Sequence, residues 1–146
     1  MEIIIREIEE KDYQTVGEVL VNDLWDNHFS GDNVVKFFNV VKDDEKYKTF
    51  IALADNIVVG VICIVATFSV VSGIADHIHV QNFVVKNEYR GKGIGTKLLR
   101  HIEDYGKENN VIGIGLCSGY KRTDAHAFYE RNGYSKTITQ YFGKYI

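Results

Sequence analysis

The sequence predicts an α/β (α+β) fold with a mixed central β-sheet flanked by helices. Three observations point there. The patterned segments run β α α β β β α β α β. Residues 50–70 read as an antiparallel hairpin, because two apolar runs flank the turn pair Asp55-Asn56. Strand, helix and strand across residues 77–117 require a parallel crossover, right-handed because strands twist that way. With 146 residues the chain reads as one domain, residues 1–146. That size hides about 68–70% of the unfolded surface without a metal or disulfide staple.

Residues 2–8 alternate and are rich in β-branched side chains, so they form the first strand. Asp12 caps a helix whose apolar positions Val16, Val19, Leu20 and Leu24 share one face. Gly31 and Asp32 open a second helix with Val34, Phe37, Phe38 and Val41, ending in the polar stretch 42–46. Strands over 50–54 and 57–70 make the hairpin. The next strand is 77–85, with His77, His79, Gln81, Phe83 and Val85 on one face because side chains alternate. A glycine-rich loop, Arg90-Gly91-Lys92-Gly93-Ile94-Gly95, leads into a helix carrying Ile94, Leu98, Ile102 and Tyr105 on one stripe, to about Asn109. A strand over 111–117, a helix over 123–132 and a last strand over 134–142 complete the chain.

Composition excludes several classes. Hydrophobic residues at 45% and charged residues at 25% match a folded soluble protein and exclude disorder. The longest apolar run, Ile57–Phe68, falls short of the about 20 residues that a membrane helix needs. The acidic N-terminus lacks a signal peptide's basic region and cleavage site, so a cytoplasmic chain without a membrane partner is expected. Cys63 and Cys117, both in apolar runs, read as small buried hydrophobes. The net charge of −3 conceals an asymmetry: residues 1–33 hold nine acids and two bases, the remainder eleven acids and fifteen bases. An acidic chain with no Lys/Arg run longer than two is not a nucleic-acid binder. The split suits one cation-friendly and one anion-friendly end, or two merely solvated faces.

Glycines between a strand and a helix let a backbone approach a phosphate at the helix N-terminus. A phosphate-loop NTPase is excluded because Thr96 precedes Lys97, and the dinucleotide fingerprint fails because its third glycine position is Thr96. What survives is Arg-x-x-Gly-x-Gly at Arg90, Gly93 and Gly95, after an apolar strand ending Phe83-Val84-Val85. This resembles the cofactor motif of the GNAT superfamily of acetyl-CoA-dependent N-acetyltransferases. The run from Asp124 through Phe128-Tyr129-Glu130 to Gly133-Tyr134 resembles that family's second signature, and the intervening helix and strand have its length. The match covers about residues 77–142.

The resemblance implies a GNAT acyl-CoA N-acyltransferase fold with acetyl-CoA as co-substrate and no metal. The pyrophosphate would lie on Arg90, Gly91, Lys92, Gly93, Ile94, Gly95 and Thr96. Backbone of Phe83, Val84 and Val85 would pair with the pantetheine arm and polarise the acetyl carbonyl. Tyr129 matches the acid that protonates the departing thiolate; otherwise it is a core tyrosine. The base is less defined, because the stretch where many members carry a carboxylate is here Gln81-Asn82. His79 is the best substitute, since an imidazole near pKa 6.5 accepts a proton. His77, Asp76 and Glu88 are weaker candidates, base-free attack by a neutral amine is an alternative, and His77-x-His79 is also half of a metal site.

For the acceptor, Trp25, Asp26, His28 and Gln81 are the candidate contacts, acids beside aromatics being suited to a cationic amine. The C-terminal part is similar to aminoalkylphosphonate and amino-sugar phosphate acetyltransferases, in which case Lys121, Arg122 or Arg131 would hold the anion. Aminoglycosides and peptide or protein amines stay open. The rival readings are a non-catalytic acyl-CoA-binding sensor, a nucleotide-binding protein and a plain structural domain. Exposed aromatics such as Tyr141, Phe142 and Tyr145 lead to the expectation of a homodimer.

Overall fold

The computed structural model describes residues 1–24 and 29–146. They divide into two compact units, Met1–Leu116 and Cys117–Ile146. The first unit runs β1 (Ile3–Glu7), α1 (Tyr13–Leu24), α2 (Gly31–Val41), β2 (Tyr47–Ala54), β3 (Ile57–Phe68), β4 (Ala75–Val85), α3 (Ile94–Glu108) and β5 (Gly113–Leu116). Its five strands lie in sequence order in one sheet. Pairing is antiparallel from β1 to β4 and parallel between β4 and β5. The sheet is therefore mixed, as the sequence predicts, with α3 as the crossover. The hairpin turn forms as expected, Asp55 and Asn56 both taking positive φ (49° and 64°).

Strand β3 is apolar almost throughout because helices cover both faces of the sheet. On one face Tyr13, Val16, Val19 and Leu20 of α1 and Phe38 of α2 pack with Ile51, Val58, Val61, Cys63 and Val84. On the other, α3 buries Ile94, Leu98, Leu99 and Ile102. Gly60 marks the closest approach of α3: a Cβ there would stand 2.9 Å from Leu98 Cδ1 and 3.4 Å from Ile94 Cγ2. The N-terminus of α3 is thus seated directly on β3. Among the described residues, no helix is long and apolar enough to cross a membrane.

Bulges overturn the expected single face on β4. Cys63 and Ile64 face Asn82 and Val80, leaving Gln81 as an inserted residue; Thr67 and Phe68 face His77 and Ala75, leaving Asp76 inserted. Each insertion reverses the alternation beyond it. His77 and His79, opposite Thr67 and Val65, share a face. Beyond Gln81 it is Asn82 and Val84 that continue this face, and Phe83 and Val85 lie on the other, so Val84 joins the α1-side core.

Three further expectations need correction. Asp12 does not cap α1; it ends a short 3-10 turn, Glu10–Asp12, whose cap is Glu9, and its carboxylate accepts from the Glu9 N–H at 2.8 Å. Arg6 closes on the same carboxylate through Nη1 and Nη2 at 2.7 and 3.0 Å. Cys63 is buried, but Cys117 is exposed. The second unit holds α4 (Thr123–Arg131) and no strand over 134–142. Its apolar residues Ile138, Tyr141 and Phe142 do not alternate, they are exposed, and no strand of the same unit offers their backbone a ladder.

The Arg6 hydrogen bonds hold the buried Asp12 carboxyl below the usual carboxylate range. A group with a depressed folded pKa contributes stability that is complete above its unfolded value and lost as pH falls through the folded one. Asp12→Asn is therefore expected to cost about 1–3 kcal/mol at neutral pH and to flatten the acid limb of the pH–stability curve, read by urea unfolding. Burial pushes the Cys63 thiol up to about 11. A thiol reagent at neutral pH is expected to label Cys117 alone in the native protein and both cysteines after unfolding.

Candidate functional site

The first unit has an open strand edge that runs into a helix N-terminus. Strand β5 pairs with β4 only from His77 to Val80, stopping where Gln81 is inserted. Asn82–Val85 keep β3 on one side. Among the described residues no strand pairs with their other side. Such an edge presents extended backbone donors and acceptors that a linear polar ligand can join as an added strand.

Past β4 the chain makes a 3-10 turn, Asn87–Tyr89, and then the glycine loop. Gly91 and Gly93 sit at φ 73° and 77°, the left-handed region that favours glycine. A Cβ on either would meet nothing within 4 Å, so the space before the loop is open. Gly93 is the N-cap of α3 without a side-chain cap, and the first bond closing the helix there is Lys97 N–H to Gly93 O at 3.1 Å. The amides of Ile94, Gly95 and Thr96 therefore lack acceptors inside the helix, and with the helix dipole they suit an anion. Buried Ile94 anchors this end, while Gly95 and Thr96 are half-buried. Lys92 is exposed with Nζ 5.0 Å from the Tyr89 ring centroid.

The Arg90 side chain turns away from this cradle. Its Nε donates to Val85 O at 3.0 Å and its Nη2 to Asp23 O at 3.3 Å, while the Asn87 N–H donates to Asp23 Oδ1 at 3.2 Å. Asp23 has no sequence signal for this role, because it lies a whole sheet away from the loop in the chain.

Of the β4 imidazoles, His79 is half-buried and His77 is exposed. His77 Nδ1 lies 2.7 Å from Asp76 Oδ1, and Ser72 Oγ donates to Asp76 Oδ2 at 2.9 Å. These two bonds, that of His77 first, hold the Asp76 carboxyl below the usual range. The pair stands at the hairpin end of β4, however. At about 3.3 Å per residue, His77 is roughly 20 Å along the strand from Phe83, and His79 roughly 13 Å. The Asp76–His77 pair ties down the β3–β4 connection through Ser72. Gln81, on the bulge, is exposed. Trp25, Asp26 and His28 lie outside the described residues.

In the second unit, α4 carries Tyr129 half-buried, its ring 5.5 Å from Phe128 and 6.3 Å from Tyr134. The chain reverses at Gly133 (φ 89°), with Tyr134 N–H donating to Tyr129 O at 3.0 Å. Burial lifts the Tyr129 hydroxyl above the usual tyrosine value, against a smaller opposing pull from Arg122. The phenol is thus a proton donor throughout the neutral range. Lys121, Arg122 and Arg131 are exposed cations of this unit.

Residues 5–134 match the model of the Acetyltransferase (GNAT) family. An uncharacterized N-acetyltransferase of Bacillus subtilis (strain 168) is 31% identical over 86 residues, 58% of this chain and 58% of that protein. An aminoalkylphosphonate N-acetyltransferase of Salmonella typhimurium is 36% identical over 58 residues, 40% of this chain and 38% of that protein. The chain thus matches less than two thirds of the length of these curated relatives. Among solved structures, AAC(6')-Iy in complex with the bisubstrate analog CoA-S-monomethyl-acetylneamine superposes with a TM-score of 0.85 at 14% identity, covering 100% of this chain and 99% of that one. At that identity the likeness is one of fold.

Gly93→Ala forces a Cβ into the left-handed region, at a cost of about 1–2 kcal/mol. The variant is expected to lower the melting temperature and to weaken binding of ADP, used as a pyrophosphate probe, several-fold by calorimetry.

Proposed function

The chain belongs to the acetyltransferase (GNAT) family, and on that premise we propose that it transfers an acetyl group from acetyl-CoA to a primary amine of a small molecule, directly within a ternary complex. The observation that carries this reading is the open edge of β4 beyond Gln81, continuous with the uncapped N-terminus of α3. The features fit coenzyme A: an extended edge for an amide-bearing arm, and open space before free amides for a pyrophosphate. Acetyl-CoA supplies the acetyl group as a thioester, activated toward an amine.

Gly91 to Thr96 hold the diphosphate in this reading, and an outward amide of the edge, that of Phe83 or Val85, polarises the acetyl carbonyl. The amine nitrogen forms its bond to the carbonyl carbon as the carbon–sulfur bond breaks. Tyr129 gives its proton to the departing sulfur, supported by the second signature around it and by its raised pKa. His79, roughly 13 Å along β4 from Phe83, accepts the proton shed by the nitrogen through intervening waters in this reading. An acceptor amine resembling lysine needs that help, since neutralising it at pH 7 costs about 4–5 kcal/mol.

The Salmonella relative's name and the exposed cations Lys121, Arg122 and Arg131 support an acceptor bearing a phosphonate or phosphate. Trp25, Asp26, His28 and Gln81 remain the proposed contacts for its amine. Exposed Tyr141, Phe142 and Tyr145 support a homodimer, and composition supports a cytoplasmic setting. The absence of a carboxylate at Gln81 and Asn82 favours a second reading, an acyl-CoA-binding module without turnover.

Release of free thiol from acetyl-CoA, followed across aminoalkylphosphonates, amino-sugar phosphates, aminoglycosides, polyamines and short peptides, separates the two. Turnover with one amine class is expected; binding of acetyl-CoA with no turnover on any of them favours the module or an acceptor outside the panel. Tyr129→Phe is expected to lower kcat about 100-fold with acetyl-CoA affinity unchanged. Because the acid works as the protonated phenol and its pKa is raised, the alkaline limb of the wild-type kcat should lie above about pH 10.

A further inference from the structure

We infer that Arg90 serves the acetyl-transfer site as a positioning residue: its guanidinium latches the glycine loop to the last carbonyl of β4 and to the C-terminal turn of α1, so that edge and cradle are set together. The inference rests on the acetyl-CoA reading above but changes what Arg90 does within it. A cation in a phosphate loop is ordinarily assigned to the phosphates. Here Nε is on Val85 O at 3.0 Å and Nη2 is on Asp23 O at 3.3 Å, which aims the planar group at carbonyls.

Three consequences follow from those contacts. Val84 pairs with Val61, so the backbone groups that point away from β3 are those of Phe83 and Val85; Val85 O is shared with the Arg90 guanidinium, and the receiving edge is centred on Phe83 and the Val85 N–H. The Asp23 carbonyl belongs to the final turn of α1, where carbonyls lack helical donors and a cation complements the dipole. Asp23 also accepts the Asn87 N–H through Oδ1 at 3.2 Å, so two separate bonds join the α1 terminus to the segment between β4 and the glycines. One planar fork spanning two carbonyls fixes an angle as well as a distance, which a lysine ammonium does not. Gly91 and Gly93 make the loop conformationally permissive; Arg90, immediately before them, supplies the constraint they lack.

The test uses Arg90→Gln, Arg90→Lys and Asp23→Ala in the full chain, with melting temperatures to show that each folds. Calorimetry compares three probes: coenzyme A, ADP for the cradle alone, and pantetheine for the edge alone. Positioning predicts that Arg90→Gln weakens coenzyme A about tenfold and weakens ADP and pantetheine both. Arg90→Lys should restore little of this, and Asp23→Ala should shift all three the same way to a smaller extent. The KM for acetyl-CoA should rise while kcat at saturation stays within about twofold. A loss confined to ADP overturns the inference, because the guanidinium would then act on the phosphates; so does unchanged affinity for all three. Wild-type protein that binds none of the probes instead removes the acetyl-CoA reading itself, a result distinct from either of those.

Discussion

The inserted residue at Gln81 governs the geometry of the β4 half of the site. Without it, the alternation that starts at His77 would run on to Val85, and beyond Gln81 the residues facing α1 would be those now facing α3. With it, Val84 enters the α1-side core while His79 stays on that same side. Pairing with β5 also ends at this point, so a sheet closed on both sides of β4 becomes open on one. A bulge costs ladder hydrogen bonds, and here it coincides with the end of the β4–β5 ladder.

A second constraint sets the other half of the site. The amides of an α-helix N-terminus are useful only if the helix is held rigidly, and α3 is held by close packing of Leu98 and Ile94 over Gly60. The glycines with positive φ then permit the sharp entry into the helix. Edge and cradle are thus products of the same strand pair, β3 and β4, one through a missing Cβ and the other through an extra residue.

The titratable groups divide by role. Arg6 with Asp12, and His77 with Asp76, are pairs in which a carboxylate is satisfied by its neighbours; they fasten turns. Tyr129 is set apart by burial that keeps its proton on, and His79 by a half-buried position with no hydrogen-bond partner among the described residues. Burial and pairing push the pKa of an acid in opposite senses, and Tyr129 and Asp12 are shifted up and down accordingly.

Periodicity, turn residues and the glycine motif sufficed for the mixed sheet, the helices and the loop at Arg90 to Thr96, because these depend on neighbours a few positions apart. The Asp55-Asn56 turn and the buried stripe of α3 are of this kind. The faces of β4, the cap at Glu9 and the Asp23–Arg90 contact were decided by tertiary structure. A single inserted residue leaves no mark in a hydrophobic pattern yet reverses every side chain beyond it, and a bond between residues far apart in the chain has no local signature. The expected strand over 134–142 failed for a related reason: β-branched and aromatic residues make a segment able to pair, but a strand exists only where another backbone is there to receive it.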